Sequence, residues 1–167
     1  MNKLHKSGVV ILDFGSQYTQ LIARRIREQN VYSEILPPET AFNEILCREP
    51  AALILSGGPS SVYEKNAPDF DSHILDSELP TLGICYGLHL LAQHQGGVVE
   101  STGQGEYGFA EITAENEIGL LSDISSPSKV WMSHGDRVKH LPEGWQTLAH
   151  SSNGVVAAMA NEDQSRV

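Results

Sequence analysis

The stretch from Thr81 to Gln95, reading Thr-Leu-Gly-Ile-Cys-Tyr-Gly-Leu-His-Leu-Leu-Ala-Gln-His-Gln, constrains this chain more than any other. A short apolar run ends at Cys85, and helix-forming residues begin at once after it. Glycines sit two positions before the cysteine and two after it, giving Gly83-Ile84-Cys85-Tyr86-Gly87. This is the strand-turn-helix pattern of a nucleophile elbow, with cysteine in place of serine. A sharp turn strains the backbone at its apex, and side chains flanking it would block the close approach of helix and sheet. The turn also puts the thiol at a helix N-terminus, where the dipole and unpaired N–H groups favour thiolate. Alone, the pattern leaves two readings open: a nucleophile, or a small buried cysteine in a strand.

Strands alternate with helices on both sides of this turn. Val9 to Phe14 is an apolar run followed by Gly15-Ser16, which reads as a buried strand and a turn whose serine can cap the next helix. Tyr18, Leu21, Ile22 and Ile26 recur at helical spacing and are expected to face a sheet, and Asn30 is the expected stop. Val31 to Leu36 is a second strand, closed by Pro37-Pro38. Glu39 to Arg48 is a helix with Ala41, Phe42, Ile45 and Leu46 inward, and Cys47 near its end is expected to be structural. Ala51 to Leu55 is a third strand leading into Ser56-Gly57-Gly58-Pro59. Ser60 to Asp69 is a surface loop, with one or two helical turns from Phe70 to Leu75. Thr81 to Cys85 is the fourth strand; Leu88, Leu91 and Ala92 bury the helix after it, and Gly96-Gly97 ends that helix. The alternation predicts an α/β fold with an open, mostly parallel, doubly wound sheet and flanking helices. Cys85 then lies at the C-terminal end of a strand, where such sheets bind ligands.

After Gly97 β patterns replace helices. Gly103 to Gly108 matches a dinucleotide fingerprint by letter, but no helix follows and the fingerprint is rejected. Ala110, Ile112 and Ala114 alternate with Glu111, Thr113 and Glu115, as a strand does. Val130 to Met132, Thr147 to Ala149 and Val155 to Met159 are further strands, with turns at Ser125–Ser128 and Pro142–Gly144.

Composition closes off several classes. The 167 residues are expected to form one domain with a real core. Acidic residues outnumber basic ones 21 to 11, for a net charge of −10. No basic patch is visible, so no nucleic-acid partner is expected. No apolar run approaches the length of a membrane span, and no membrane association is expected. Two cysteines, Cys47 and Cys85, make no disulfide framework, which implies a reducing cytoplasm. Cys85 and His89 are four apart, but two ligands are too few for zinc and no second pair has ligand spacing, so no metal is expected. His94, His140 and His150 read as surface or packing residues.

Three further stretches decide the reading of Cys85: Leu12-Asp13-Phe14-Gly15-Ser16-Gln17-Tyr18-Thr19-Gln20-Leu21, Ile54-Leu55-Ser56-Gly57-Gly58-Pro59, and Trp131-Met132-Ser133-His134-Gly135-Asp136. With the elbow, in this order, they resemble the class I, Cys-His-Glu glutamine amidotransferases, and within that family the GMP synthase branch. The resemblance runs from about Val9 to the last residue. It implies that Cys85 is the nucleophile, attacking the side-chain amide of L-glutamine and forming a γ-glutamyl thioester. It implies that Gly58 and the Tyr86 N–H form the oxyanion hole. It places Ser133, His134 and Gly135, in a Met-Ser-His-Gly-Asp loop, against the α-amino and α-carboxylate ends of the substrate. His89 stands where the family usually has a substrate-binding glutamine, and an imidazole makes fewer hydrogen bonds.

The family's late His-Pro-Glu motif, whose histidine activates the cysteine and protonates the leaving ammonia, does not occur in the sequence. The resemblance therefore implies an amidotransferase domain over 1–167, truncated before that motif. The ammonia would aminate adenylated XMP on an ATP-pyrophosphatase (synthetase) domain that is absent here. ATP and magnesium are expected only there, and no cofactor is expected in these residues. The alternative is a non-catalytic module that keeps the fold and binds glutamine or a synthetase partner.

Overall fold

The computed structural model describes residues 8–115 and 119–167, with the backbone alone for 102–106. The chain divides into two compact units, Met1–Leu90 and Leu91–Val167.

The first unit is built on a parallel sheet. Strands β1 (Val9–Leu12), β2 (Ser33–Leu36), β3 (Ala52–Leu55) and β4 (Thr81–Gly83) lie in the order β2-β1-β3-β4. All pairings are parallel, and Leu12 stands level with both Leu36 and Leu55. The chain steps outward from β1 to β2, then returns past β1 to β3. The sheet is doubly wound as predicted, and its topological switch lies between β1 and β3. Strands this short and apolar can be buried on both faces only when helices cover them.

Helix α1 (Thr19–Glu28) covers one face. Its Ala23 forms a cluster with Ile11 and Ile54, against which Val9, Ile22, Ile26, Ile35, Leu82 and Ile84 pack. The predicted inward face is half right. Ile22 and Ile26 do face the sheet, whereas Tyr18 and Leu21 are exposed, and Thr19 and Ala23 take the closest positions. Small side chains let the helix approach until Ser33 Oγ donates to the Ala23 carbonyl at 3.0 Å. Helix α2 is shorter than expected, Phe42–Leu46, and buries only Ile45 fully. Leu46 and Cys47 are exposed, so Cys47 contributes little packing. Helix α3 (Tyr86–His94) follows β4. It buries Leu91 and Ala92 as predicted, and Tyr86, His89 and Leu90 besides, while Leu88 is only half-buried. Gly96, at φ +88°, ends it.

A 3-10 turn, Ser72–Asp76, stands where one or two helical turns were predicted. Asp71 caps it and also reaches α2. Its Oδ1 accepts from His73 N at 3.1 Å and lies 2.6 Å from His73 Nδ1, and its Oδ2 accepts from Phe42 N at 2.9 Å. The Phe42 N–H foremost, then the His73 ring, hold the Asp71 carboxyl down to about 2 from an ordinary 3.8. A depressed carboxyl stabilises the folded state above the unfolded value and loses that contribution as pH falls through the folded one. Between pH 4 and pH 2 the melting temperature is therefore expected to drop, and Asp71→Asn to flatten part of that drop. Melts at the two pH values check this; an equal drop in both proteins would remove Asp71 from the acid response.

The second unit is an antiparallel sheet of β5 (Val98–Ala114), β6 (Ser128–His140), β7 (Trp145–Ser151) and β8 (Val156–Asn161), ordered β6-β5-β7-β8. Leu148, Ala149, Met159 and Ala160 are buried in it. These are the added strands expected after Gly97. The fingerprint look-alike at 103–108 lies inside β5, with no helix after it. Glu100 pairs with Arg137 at 2.7 Å and Lys139 at 2.8 Å. Along β5, Tyr107, Phe109 and Glu111 are exposed and Gly108, Ala110 and Ile112 half-buried, the alternation read from sequence. No described helix is long and apolar enough to cross a membrane.

Candidate active site

The elbow forms where the sequence places it, and its glycines are required by contact. Cys85 has φ +54°, a left-handed conformation that costs a residue with a Cβ roughly 1–2 kcal/mol. A Cβ on Gly83 would sit 2.7 Å from the backbone of Gly87, and one on Gly87 would sit 2.2 Å from the Leu55 carbonyl oxygen. Gly83 thus lets the first turn of α3 fold back over the end of β4, and Gly87 lets it press onto the end of β3. Backbone hydrogen bonds hold it there: Ile84 N to Leu55 O at 2.9 Å, and Gly87 N to Ser56 O at 3.1 Å. The Tyr86 side chain anchors the turn. It is buried, its ring centroid lies 5.5 Å from that of Phe14, and its hydroxyl donates to the Pro68 carbonyl at 2.6 Å.

The Ser56-Gly57-Gly58 run lies beside the cysteine. A Cβ on Gly57 would stand 3.5 Å from Cys85 Cβ and 3.6 Å from both Ile84 O and Ser16 Oγ. One on Gly58 would strike the Phe14 carbonyl oxygen at 2.6 Å. The loop after β1 completes the rim. Asp13 Oδ1 accepts from Gly15 N at 3.0 Å and from Thr19 Oγ1 at 2.7 Å. Ser16 Oγ accepts from Tyr18 N at 3.1 Å in the turn ahead of α1; the helix N-cap is Tyr18, which takes no side-chain bond, so the expected cap by Ser16 does not form. Loops after β1, β3 and β4 therefore converge at the C-terminal ends of the strands, flanking the switch point. His89 sits one turn behind the cysteine, 7% exposed, with its N–H bonded to Cys85 O at 3.1 Å.

The structure brings Gly58, Cys85 and Tyr86 together in the first unit. Ser133, His134 and Gly135 belong to the second unit, where one expectation fails. They lie inside β6 rather than in a loop, Ser133 level with Tyr107 and Met132 with Gly108. The glycine and aspartate that suggest a turn sit where the register with β5 shifts, between the Glu106–His134 and Ser101–Asp136 pairs. His134 Nδ1 donates to the Asp136 carbonyl at 2.8 Å, since a carbonyl oxygen can only accept. The Tyr107 hydroxyl comes within 3.4 Å of the position a Cβ on Gly135 would take. Sequence reading missed Tyr107 here, and it missed Ser16 and Ser56 in the first unit. A serine opening a Gly-Gly run at a strand end is the one signal that could have marked Ser56.

The profile of the class-I glutamine amidotransferase family matches residues 10–167. The chain belongs to that family. It is 48% identical over 162 residues to the glutamine-hydrolyzing GMP synthase of Gloeothece citriformis, covering 97% of this chain and 30% of the relative. It is 51% identical over 159 residues to that of Dehalococcoides mccartyi, covering 94% and 30%. The chain thus spans about 30% of the length of these curated relatives. Among solved structures, a candidate GMP synthase subunit from Thermoplasma acidophilum superposes with a TM-score of 0.84 at 24% identity, over 97% of this chain and 81% of its own. A glutamine amidotransferase from Thermotoga maritima gives 0.74 at 22%, over 97% and 73%. These two share the fold, and the curated relatives are glutamine-hydrolyzing GMP synthases.

Proposed function

We propose that this amidotransferase domain hydrolyses L-glutamine through Cys85 and supplies the ammonia that a GMP synthase uses to aminate XMP. The observation that carries the reading is the elbow: a cysteine at φ +54°, clamped between two glycines onto β3 and standing beside Gly57-Gly58. The Cys85 thiolate would attack the carboxamide carbon, forming the C–S bond and pushing the carbonyl π pair onto oxygen. The Gly58 and Tyr86 N–H groups would bind that oxyanion. Collapse restores C=O and expels ammonia as its nitrogen takes up the proton; water then cleaves the thioester to glutamate and free thiol. The family's proton carrier is the His-Pro-Glu histidine, a motif these 167 residues do not contain. Ser133, His134 and Gly135 would hold the substrate's α-amino and α-carboxylate groups, with His89 replacing the usual glutamine. ATP, magnesium and XMP belong with a synthetase domain, and a reducing cytoplasm suits a free thiol nucleophile.

The test uses a glutamine analogue with a chloromethyl ketone in place of the carboxamide. Cys47 is exposed and Cys85 is only half exposed, so accessibility alone favours Cys47. Peptide mapping is expected to show one adduct, on Cys85, with L-glutamine slowing its formation. Labelling of Cys47 alone, or no protection by glutamine, would sink the assignment. The binding-module alternative rests on His89, which stands where the family usually has a substrate-binding glutamine. Calorimetric binding of glutamine with no ammonia released would favour it.

A further inference from the structure

The carbonyl oxygen of Gly57 and the N–H of Gly58 belong to one trans peptide unit, in which they point in opposite directions within one plane. Whatever fixes the carbonyl therefore aims the N–H. Ser56 Oγ donates to the Gly57 carbonyl oxygen at 2.9 Å and accepts from Phe14 N at 3.0 Å. Its backbone is committed too: Ser56 N donates to Leu12 O at 3.1 Å, and Ser56 O accepts from Gly87 N at 3.1 Å. One residue, 0% exposed, thereby joins the end of β1, the Gly-Gly loop and the first turn of the nucleophile's helix. The Gly58 N–H, by contrast, donates to no acceptor among the described residues. An amide held on one side and left open on the other is what a preorganised oxyanion donor requires.

We infer that Ser56 is the positioning residue of the oxyanion hole, its hydroxyl setting the Gly57–Gly58 peptide so that the Gly58 N–H meets the developing oxyanion. The inference rests on the reading of Gly58 as an oxyanion donor. Water cannot stand in for the hydroxyl at a buried site without a cavity to hold it. Loss of the hydroxyl frees the peptide to rotate, and a misaimed donor loses much of its effect on the transition state.

Two reagents with different demands separate aiming from folding. With the chloroketone, the thiolate adds to the ketone carbon and charge builds on its oxygen; sulfur then displaces chloride from the neighbouring carbon. With methyl methanethiosulfonate, the thiolate attacks sulfur and expels methanesulfinate, and no carbonyl oxygen becomes charged. Both rates are measured at Cys85 in a Cys47→Ser background. In Ser56→Ala the chloroketone rate is expected to fall by about 10- to 100-fold, while the thiosulfonate rate stays within about twofold. Ser56→Thr keeps the hydroxyl and is expected to recover the ratio. Ser56→Cys keeps the volume with a weaker donor and is expected to show a smaller loss, which preserves the test if Ser56→Ala does not fold. An unchanged ratio in Ser56→Cys and Ser56→Ala, or a parallel fall of both rates, would overturn the assignment. If the parent chain shows no excess of chloroketone over thiosulfonate reactivity relative to a free thiol, the oxyanion reading itself fails and takes this inference with it.

Discussion

Gly87→Ala is expected to destabilise the domain by about 3 kcal/mol or more, an overpacking cost at the upper end of its usual range. The added methyl would lie 2.2 Å from the Leu55 carbonyl oxygen, 2.7 Å from its carbonyl carbon and 2.7 Å from its Cβ. Two of these atoms are backbone of β3, an interior strand of the sheet bonded on both sides, so no side chain can swing away to make room. Relief has to come from lifting the first turn of α3, which breaks Gly87 N to Ser56 O and Ile84 N to Leu55 O. Gly57→Ala is the internal control. Its methyl would make three contacts of 3.5–3.6 Å, ordinary van der Waals distances, and is expected to cost less than about 1 kcal/mol. Urea midpoints of both variants decide the matter. Similar midpoints would mean that the tight seat of the elbow is not what holds it.

Cys85→Gly should abolish glutamine-analogue labelling at this position and at the same time make the protein harder to unfold than Cys85→Ala. Both variants remove the sulfur. Only the glycine removes the Cβ that makes φ +54° costly, about 1–2 kcal/mol, against roughly 0.5–1 kcal/mol of extra chain entropy lost by glycine on folding. The net advantage of glycine over alanine is thus about 0.5–1 kcal/mol, measurable in denaturant. A function-bearing residue held against its backbone preference is where such a trade is found. If alanine proves as stable as glycine, the elbow stores no strain.

The features that could be read from sequence are those whose causes are local. Gly83 and Gly87 frame Cys85 within five residues, and the alternation from Ala110 to Glu115 needs only its own period. Four strands and their order of appearance followed from short apolar runs ending in turn residues. What could not be read depends on distant partners. Thr19 and Ala23, not Tyr18 and Leu21, are the fully buried positions. Thr19 meets Asp13 after β1 and Ala23 meets Ser33 on β2, and such close approach rewards small residues where the apolar count rewards large ones. Met132 to Asp136 carries turn-forming letters yet lies in a strand, since β5 supplies its partner from more than twenty residues away. Ser56 reads as the first residue of a turn; its role appears only when Phe14, 42 positions earlier, is brought to its hydroxyl.

The parallel register has a consequence for how such a domain can change in length. Because Leu12 and Leu55 end level, and β4 ends beside them, every loop of the site leaves the sheet from one rim. The connections that enter the strands, such as Glu49 to Ala51 ahead of β3 and Ser77 to Pro80 ahead of β4, lie at the opposite rim. Residues added there would lengthen the chain without displacing the thiol or the Gly-Gly peptide. The entry rim is accordingly where tags, labels or grafted segments can be inserted, and the exit rim is where one extra residue would matter.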